Sequence, residues 1–122
     1  TQYYIIQNPI IVEGDLFRAC DKVTVEIHRK SLITTQAISV RELVIVKDNV
    51  EVARFKTDLA INLNEDIVHV EWDLPCTIKP GIYKFQGVVT YKFRGLDKSI
   101  EFYSTNFEVA VTKPSPSPKL FN

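Results

Sequence analysis

Apolar and polar residues alternate along three stretches of this chain. Val23, Val25 and Ile27 are interleaved with Thr24, Glu26 and His28. Val68, Val70, Trp72 and Leu74 are interleaved with His69, Glu71 and Asp73. The longest run sets Tyr83, Phe85, Gly87, Val89, Tyr91 and Phe93 against Lys84, Gln86, Val88, Thr90 and Lys92. Successive side chains of a strand point to opposite faces, so a period of two gives each run one face for a core and one for solvent. No segment sustains the period of about 3.6 that a helix needs. The β-branched and aromatic residues that fill these runs suit a pleated, half-buried surface.

The breaks between runs carry turn residues. Glu13-Gly14-Asp15 ends a first run over 3–12, and Lys47-Asp48-Asn49 reads as a hairpin turn between 43–46 and 50–55. Pro80-Gly81 precedes the Tyr83 strand, and 94–98, with Gly95 and Asp97, leads into a last strand over 100–111. In that strand the alternation slips between Phe102 and Phe107, as an extra residue near 104–106 in a β-bulge would cause. The segment 31–40 reads equally as a strand extension, a crossover or a loop. The expectation is an all-β, two-sheet antiparallel β-sandwich of about seven or eight strands over 1–111. Val25, Ile27, Val70, Trp72, Tyr83, Phe85, Val89 and Tyr91 are its expected core.

The last segment, 112–122, has a different character. Pro114, Pro116 and Pro118 lack the backbone donor that a ladder needs, so an extended Pro/Ser-rich arm is expected. Leu120 and Phe121 are apolar residues on the end of this tether. The arrangement suits an arm that docks its tip on a neighbouring chain, with all five residues as the expected partner-binding set. A linker or frayed terminus is the ordinary alternative.

With 122 residues, one core can form without metals or a disulfide framework. Fifteen Lys and Arg balance fifteen Asp and Glu, interspersed along the chain. A nucleic-acid partner is not expected, because phosphate binding wants a basic excess or stripe. Membrane insertion is not expected either, since no apolar run reaches the roughly 18–20 residues of a spanning helix. Zero net charge resists association poorly, which favours an assembled subunit and allows a homo-oligomer. From the start at Thr1 and the lack of methionine, a processed product, a trimmed fragment or a part of something longer is expected. There is no signal peptide from which to read a compartment, and no Asn-x-Ser/Thr sequon.

Few residues group as chemistry would require. His28 and His69 fall on the polar faces of their strands, with Glu26 and Glu71 two residues away on the same faces. Together they could make a metal ligand set, but surface histidines among charged cross-strand pairs are the ordinary reading. Asn62, Asn64, Glu65 and Asp66 form an acidic turn, read as a solvated loop before a calcium site. There is no nucleophile elbow, Cys-x-x-Cys pair or Gly-rich phosphate loop. No catalytic site, cofactor or metal is therefore expected. Trp72 reads as a core anchor. With Tyr3, Tyr4 or Tyr103 it would instead be the platform of a carbohydrate- or small-ligand-binding sandwich, if those rings were exposed.

The stretch VHVEWDLPCTIKPGIYKFQGVVTYKF, followed by STNFEVAV, resembles immunoglobulin-like and fibronectin-type-III-like modules. The shared pattern is a strand ending in Leu-Pro, then Pro-Gly-x-Tyr opening a long strand, then a closing strand with Phe-x-Val. It covers 67–111. Arrestin-like sandwiches, whose strands also start after a Gly-Asp turn such as Gly14-Asp15, are the alternative. The first resemblance implies a non-enzymatic structural or interaction module of a larger assembly, on a virion or an extracellular surface. A bacteriophage decoration or baseplate-type subunit is its most specific form. In an immunoglobulin-like strand order, the strand after Cys20 and the strand before Cys76 are antiparallel neighbours. A Cys20–Cys76 bridge is then conceivable beside the alternative of two buried thiols.

Overall fold

The alternating segments pair into two sheets that face each other across one core. The structure, a computed structural model, describes residues 4–31, 38–56 and 66–111. All regular structure among them is strand: β1 (Tyr4–Ile6), β2 (Ile11–Val12), β3 (Leu16–Phe17), β4 (Lys22–Ser31), β5 (Ile38–Lys47), β6 (Val50–Lys56), β7 (Ile67–Asp73), β8 (Gly81–Phe93), β9 (Leu96–Tyr103) and β10 (Phe107–Val109). The expected all-β sandwich is present, with ten strands among the described residues instead of about seven or eight. The first run divides into β1 and β2 around the cis Asn8-Pro9 peptide, and the last divides into β9 and β10. The two-residue β3 is too short to show a period. The arm residues Pro114, Pro116, Pro118, Leu120 and Phe121 lie outside the described residues, as do Tyr3, Asn62, Asn64 and Glu65.

In the four-stranded sheet, β4 is central. β1 and β2 pair with successive parts of one edge, and β7 pairs with the other from Lys22↔Asp73 to His28↔Ile67. The six-stranded sheet is built on β8. β5 and then β6 lie on one side of it, and β9 and β10 on the other, with β3 beyond β10. Among the described residues the named strands pair antiparallel except β3 and β10, which run parallel, and Ile10 and Ser104 form an isolated parallel bridge, so the sandwich is not purely antiparallel. The β3–β10 pairing follows from Asp15 and Phe17, whose carbonyls accept the amides of Glu108 and Ala110.

Two hairpins close on left-handed residue pairs. Asp48 and Asn49 have φ of 53° and 63°, and Arg94 and Gly95 have 53° and 79°. Positive φ at both central positions twists a turn to match the strands it joins. The slip in the last run is also physical. Tyr103 pairs with Gln86 and Phe107 with Tyr83, so three residues, 104–106, stand opposite the two residues between them on β8. The Ser104 hydroxyl accepts the Phe85 amide at 2.9 Å across this offset.

Inward faces supply the core. Tyr4, Val23, Val25, Leu43, Ile45, Phe85, Val89, Tyr91, Phe107 and Val109 are buried there. Val70 is half-buried against it, and the rest of the expected core is buried. Trp72 is 5% exposed and anchors the centre. Its ring meets Phe85 edge-on at 5.0 Å and stacks on Phe102 at 6.2 Å. Burying a ring of this size is worth about 4–6 kcal/mol by area.

Candidate functional site

Directly opposed residues of an antiparallel pair share a face of the sheet. On the outer face of the four-stranded sheet the register sets Ile11 against Glu26, Glu26 against His69, and His28 against Ile67. Ile5 lies opposite Lys30, two residues beyond His28 on the same face. Rows from three neighbouring strands thus converge on the Glu26 carboxylate. Strand pairing fixes the backbone beneath them, which limits how far their side chains can disperse.

Glu26 holds both histidines. Its Oε2 lies 2.7 Å from His28 Nε2 and its Oε1 lies 3.2 Å from His69 Nε2. The His28 hydrogen bond pulls the Glu26 carboxyl below the usual carboxylate range, partial burial opposes it, and the His69 hydrogen bond adds to the pull. Glu13 completes the group. Its amide donates to the Thr24 carbonyl, which continues the β2 ladder by one residue, and its carboxylate joins Glu26 and His69 with ligand atoms all within 4.8 Å of one another.

Both histidines expected on this face thus contact Glu26, one of the two acids expected beside them, but only His69 shares with it a cluster of ligand atoms. Glu71 stands opposite Thr24, next to the Lys22–Asp73 ion pair, and does not belong to the group. Glu13 stands beside Glu26 and His69, where Glu71 was expected. Nothing in the sequence placed Glu13 there, because its position follows from the β2–β4 register.

Other expected sites resolve differently. The outermost residue of the acidic turn that is described, Asp66, uses its backbone carbonyl to accept the Arg29 amide. Trp72 and Tyr4 are buried in the core and cannot serve as a ligand platform. Tyr103 is exposed, with the Lys84 ammonium 5.6 Å from its ring centre. A groove of about 370 Å³ opens at the mouth of the sandwich, where Val52 and Ala53 face Pro75, Ile78 and Tyr83. Cys20 and Cys76 are joined in a disulfide, with Cα atoms 4.3 Å apart.

No protein-family model matches the chain, and no curated protein matches it. Five chains of solved structures match. One is the sporulation control protein Spo0M of Bacillus subtilis, to which this chain is similar at 18% sequence identity and a TM-score of 0.49. The match covers 92% of this chain and 51% of that one, so the chain spans about half the length of Spo0M.

Proposed function

We propose that this chain is a non-enzymatic interaction module of a larger protein assembly, with the outer face of the four-stranded sheet as a contact surface. One observation carries the reading. Ile5, Ile11 and Ile67, 46%, 42% and 48% exposed, sit on a single sheet face around the Glu26 cluster. Scattered exposed apolar residues are ordinary, but a group on one face inside a charged margin has the composition of a contact surface. Here the margin is Lys30 at one end and the Lys22–Asp73 pair at the other.

The arm over 112–122 belongs to the same proposal, with Leu120 and Phe121 as the docking tip. A virion decoration or baseplate-type subunit is the narrower form, and it rests on the resemblance of 67–111. A disulfide persists in oxidising surroundings, which suits an extracellular or virion setting. The test is cross-linking and mass spectrometry on the native source, with wild type and an Ile11→Lys/Ile67→Lys variant. Both substitutions lie on exposed sites, so the fold should persist. Loss of the variant's cross-links to neighbouring chains supports the reading. Unchanged cross-links, or contacts confined to the six-stranded sheet, overturn it.

A further inference from the structure

We propose that Glu13, Glu26 and His69 bind a divalent transition-metal ion, with Zn²⁺ the best match to the donor set. The three residues come from adjacent chain segments across one sheet, and their ligand atoms already lie within 4.8 Å of one another. Zinc bonds of about 2.0–2.1 Å in a tetrahedron put two ligands roughly 3.3 Å apart. The Glu26 Oε1 to His69 Nε2 separation of 3.2 Å matches that span. An ion would take the place of the proton these atoms share, and a small rotation of the exposed Glu13 side chain would close the third bond.

Two further features favour an ion here. Glu13 and Glu26 bring two carboxylates together, and a dication relieves their mutual repulsion. The other oxygen of Glu26 is held by His28 at 2.7 Å, so the ligating carboxylate is oriented by a partner outside the ligand set. One imidazole and two carboxylates select zinc over calcium or magnesium, which prefer all-oxygen shells. Three protein ligands leave the fourth position open, and the exposure of Glu13 and His69 directs it toward solvent.

Titration calorimetry of the full chain with zinc chloride, in a buffer that does not chelate, tests the site. Saturable one-to-one binding is expected, with a higher melting temperature for the loaded chain. Glu13→Gln and His69→Ala should each weaken binding at least tenfold. His28→Ala should weaken it by roughly 10–100-fold through the loss of orientation. Near-ultraviolet circular dichroism checks that each variant keeps the fold. With Co²⁺ as the probe, wild type should show the visible absorption of a tetrahedral site, and His69→Ala should lose it. Absence of saturable zinc binding overturns the proposal. So does binding that both Glu13→Gln and His69→Ala leave unchanged, because the ion then sits elsewhere.

Discussion

Cys20 and Cys76 are joined just beyond two strand ends that the β4–β7 ladder has already brought together. Lys22 pairs with Asp73, and the Leu74 amide donates to the Asp21 carbonyl just beyond it. The disulfide therefore extends the ladder and closes a loop with a sequence separation of 56. The chain-entropy relation gives a bridge over such a loop about 4 kcal/mol. A Cys20→Ser/Cys76→Ser variant should fold to the same sandwich and lose stability of that order in urea titrations. Reduction of the wild type should add the mass of two hydrogens and lower the urea midpoint likewise. An unchanged midpoint would show that the ladder alone constrains these ends.

The second prediction concerns alkaline stability. Burial pushes the Tyr4 phenol above the ordinary tyrosine range, while its hydrogen bond from Arg29, at 3.4 Å, and the nearby positive charge pull the other way. Desolvation raises the Tyr83 phenol in the same direction. The sign follows from linkage. Above about pH 10 the unfolded chain ionises these phenols freely while the folded chain resists. Their stabilising contribution is full below that pH and is lost as pH rises through the raised folded-state values. Tyr4→Phe should cost about 0.5–1.5 kcal/mol at neutral pH through the lost hydrogen bond. It should also make the alkaline decline shallower. Absorbance titration of tyrosinate, alongside stability measured from pH 8 to 12, checks both. A decline as steep in Tyr4→Phe as in wild type would put the sensitivity elsewhere.

Much of the sandwich is legible because its longest strands are also its most regular. In β4 the alternation runs Val23, Val25, Ile27 inward and Glu26, His28 outward, and the structure keeps that phase throughout. Trp72 could be placed in the core because Val70 and Leu74 share its phase. The disulfide was legible only as far as the strand order was, since spacing alone does not bring position 20 to position 76. Less legible were the features that depend on non-local register. A two-residue strand such as β3 has no period to read, and its parallel pairing depends on where β10 falls. Glu13 joins Glu26 and His69 for the same kind of reason. Two residues past Ile11, it reaches Glu26 only once β2 has paired with β4. The outward isoleucines are likewise invisible to a pattern that assigns every apolar residue to the core.

The third prediction turns on the offset between β9 and β10. The sequence shows a slip there, but not how its backbone groups are satisfied. Ser104 is buried, and its hydroxyl accepts the Phe85 amide while donating to the Thr105 carbonyl at 2.8 Å. Its own amide donates to the Phe85 carbonyl at 2.9 Å. The side chain thus supplies the acceptor that a regular ladder would have taken from the backbone. Ser104→Ala removes that acceptor and leaves the Phe85 N–H orphaned in a fully buried residue. An orphaned buried donor costs about 1–3 kcal/mol, more than the net value of an ordinary hydrogen bond. Urea unfolding of Ser104→Ala should show a loss in that range with an unchanged slope. Hydrogen exchange should quicken at the Phe85 amide more than at Gln86 or Gly87, which lie within the regular β8–β9 ladder. If exchange at Phe85 keeps its protection, the hydroxyl is not the acceptor, and the offset is held by the Ser104 backbone alone.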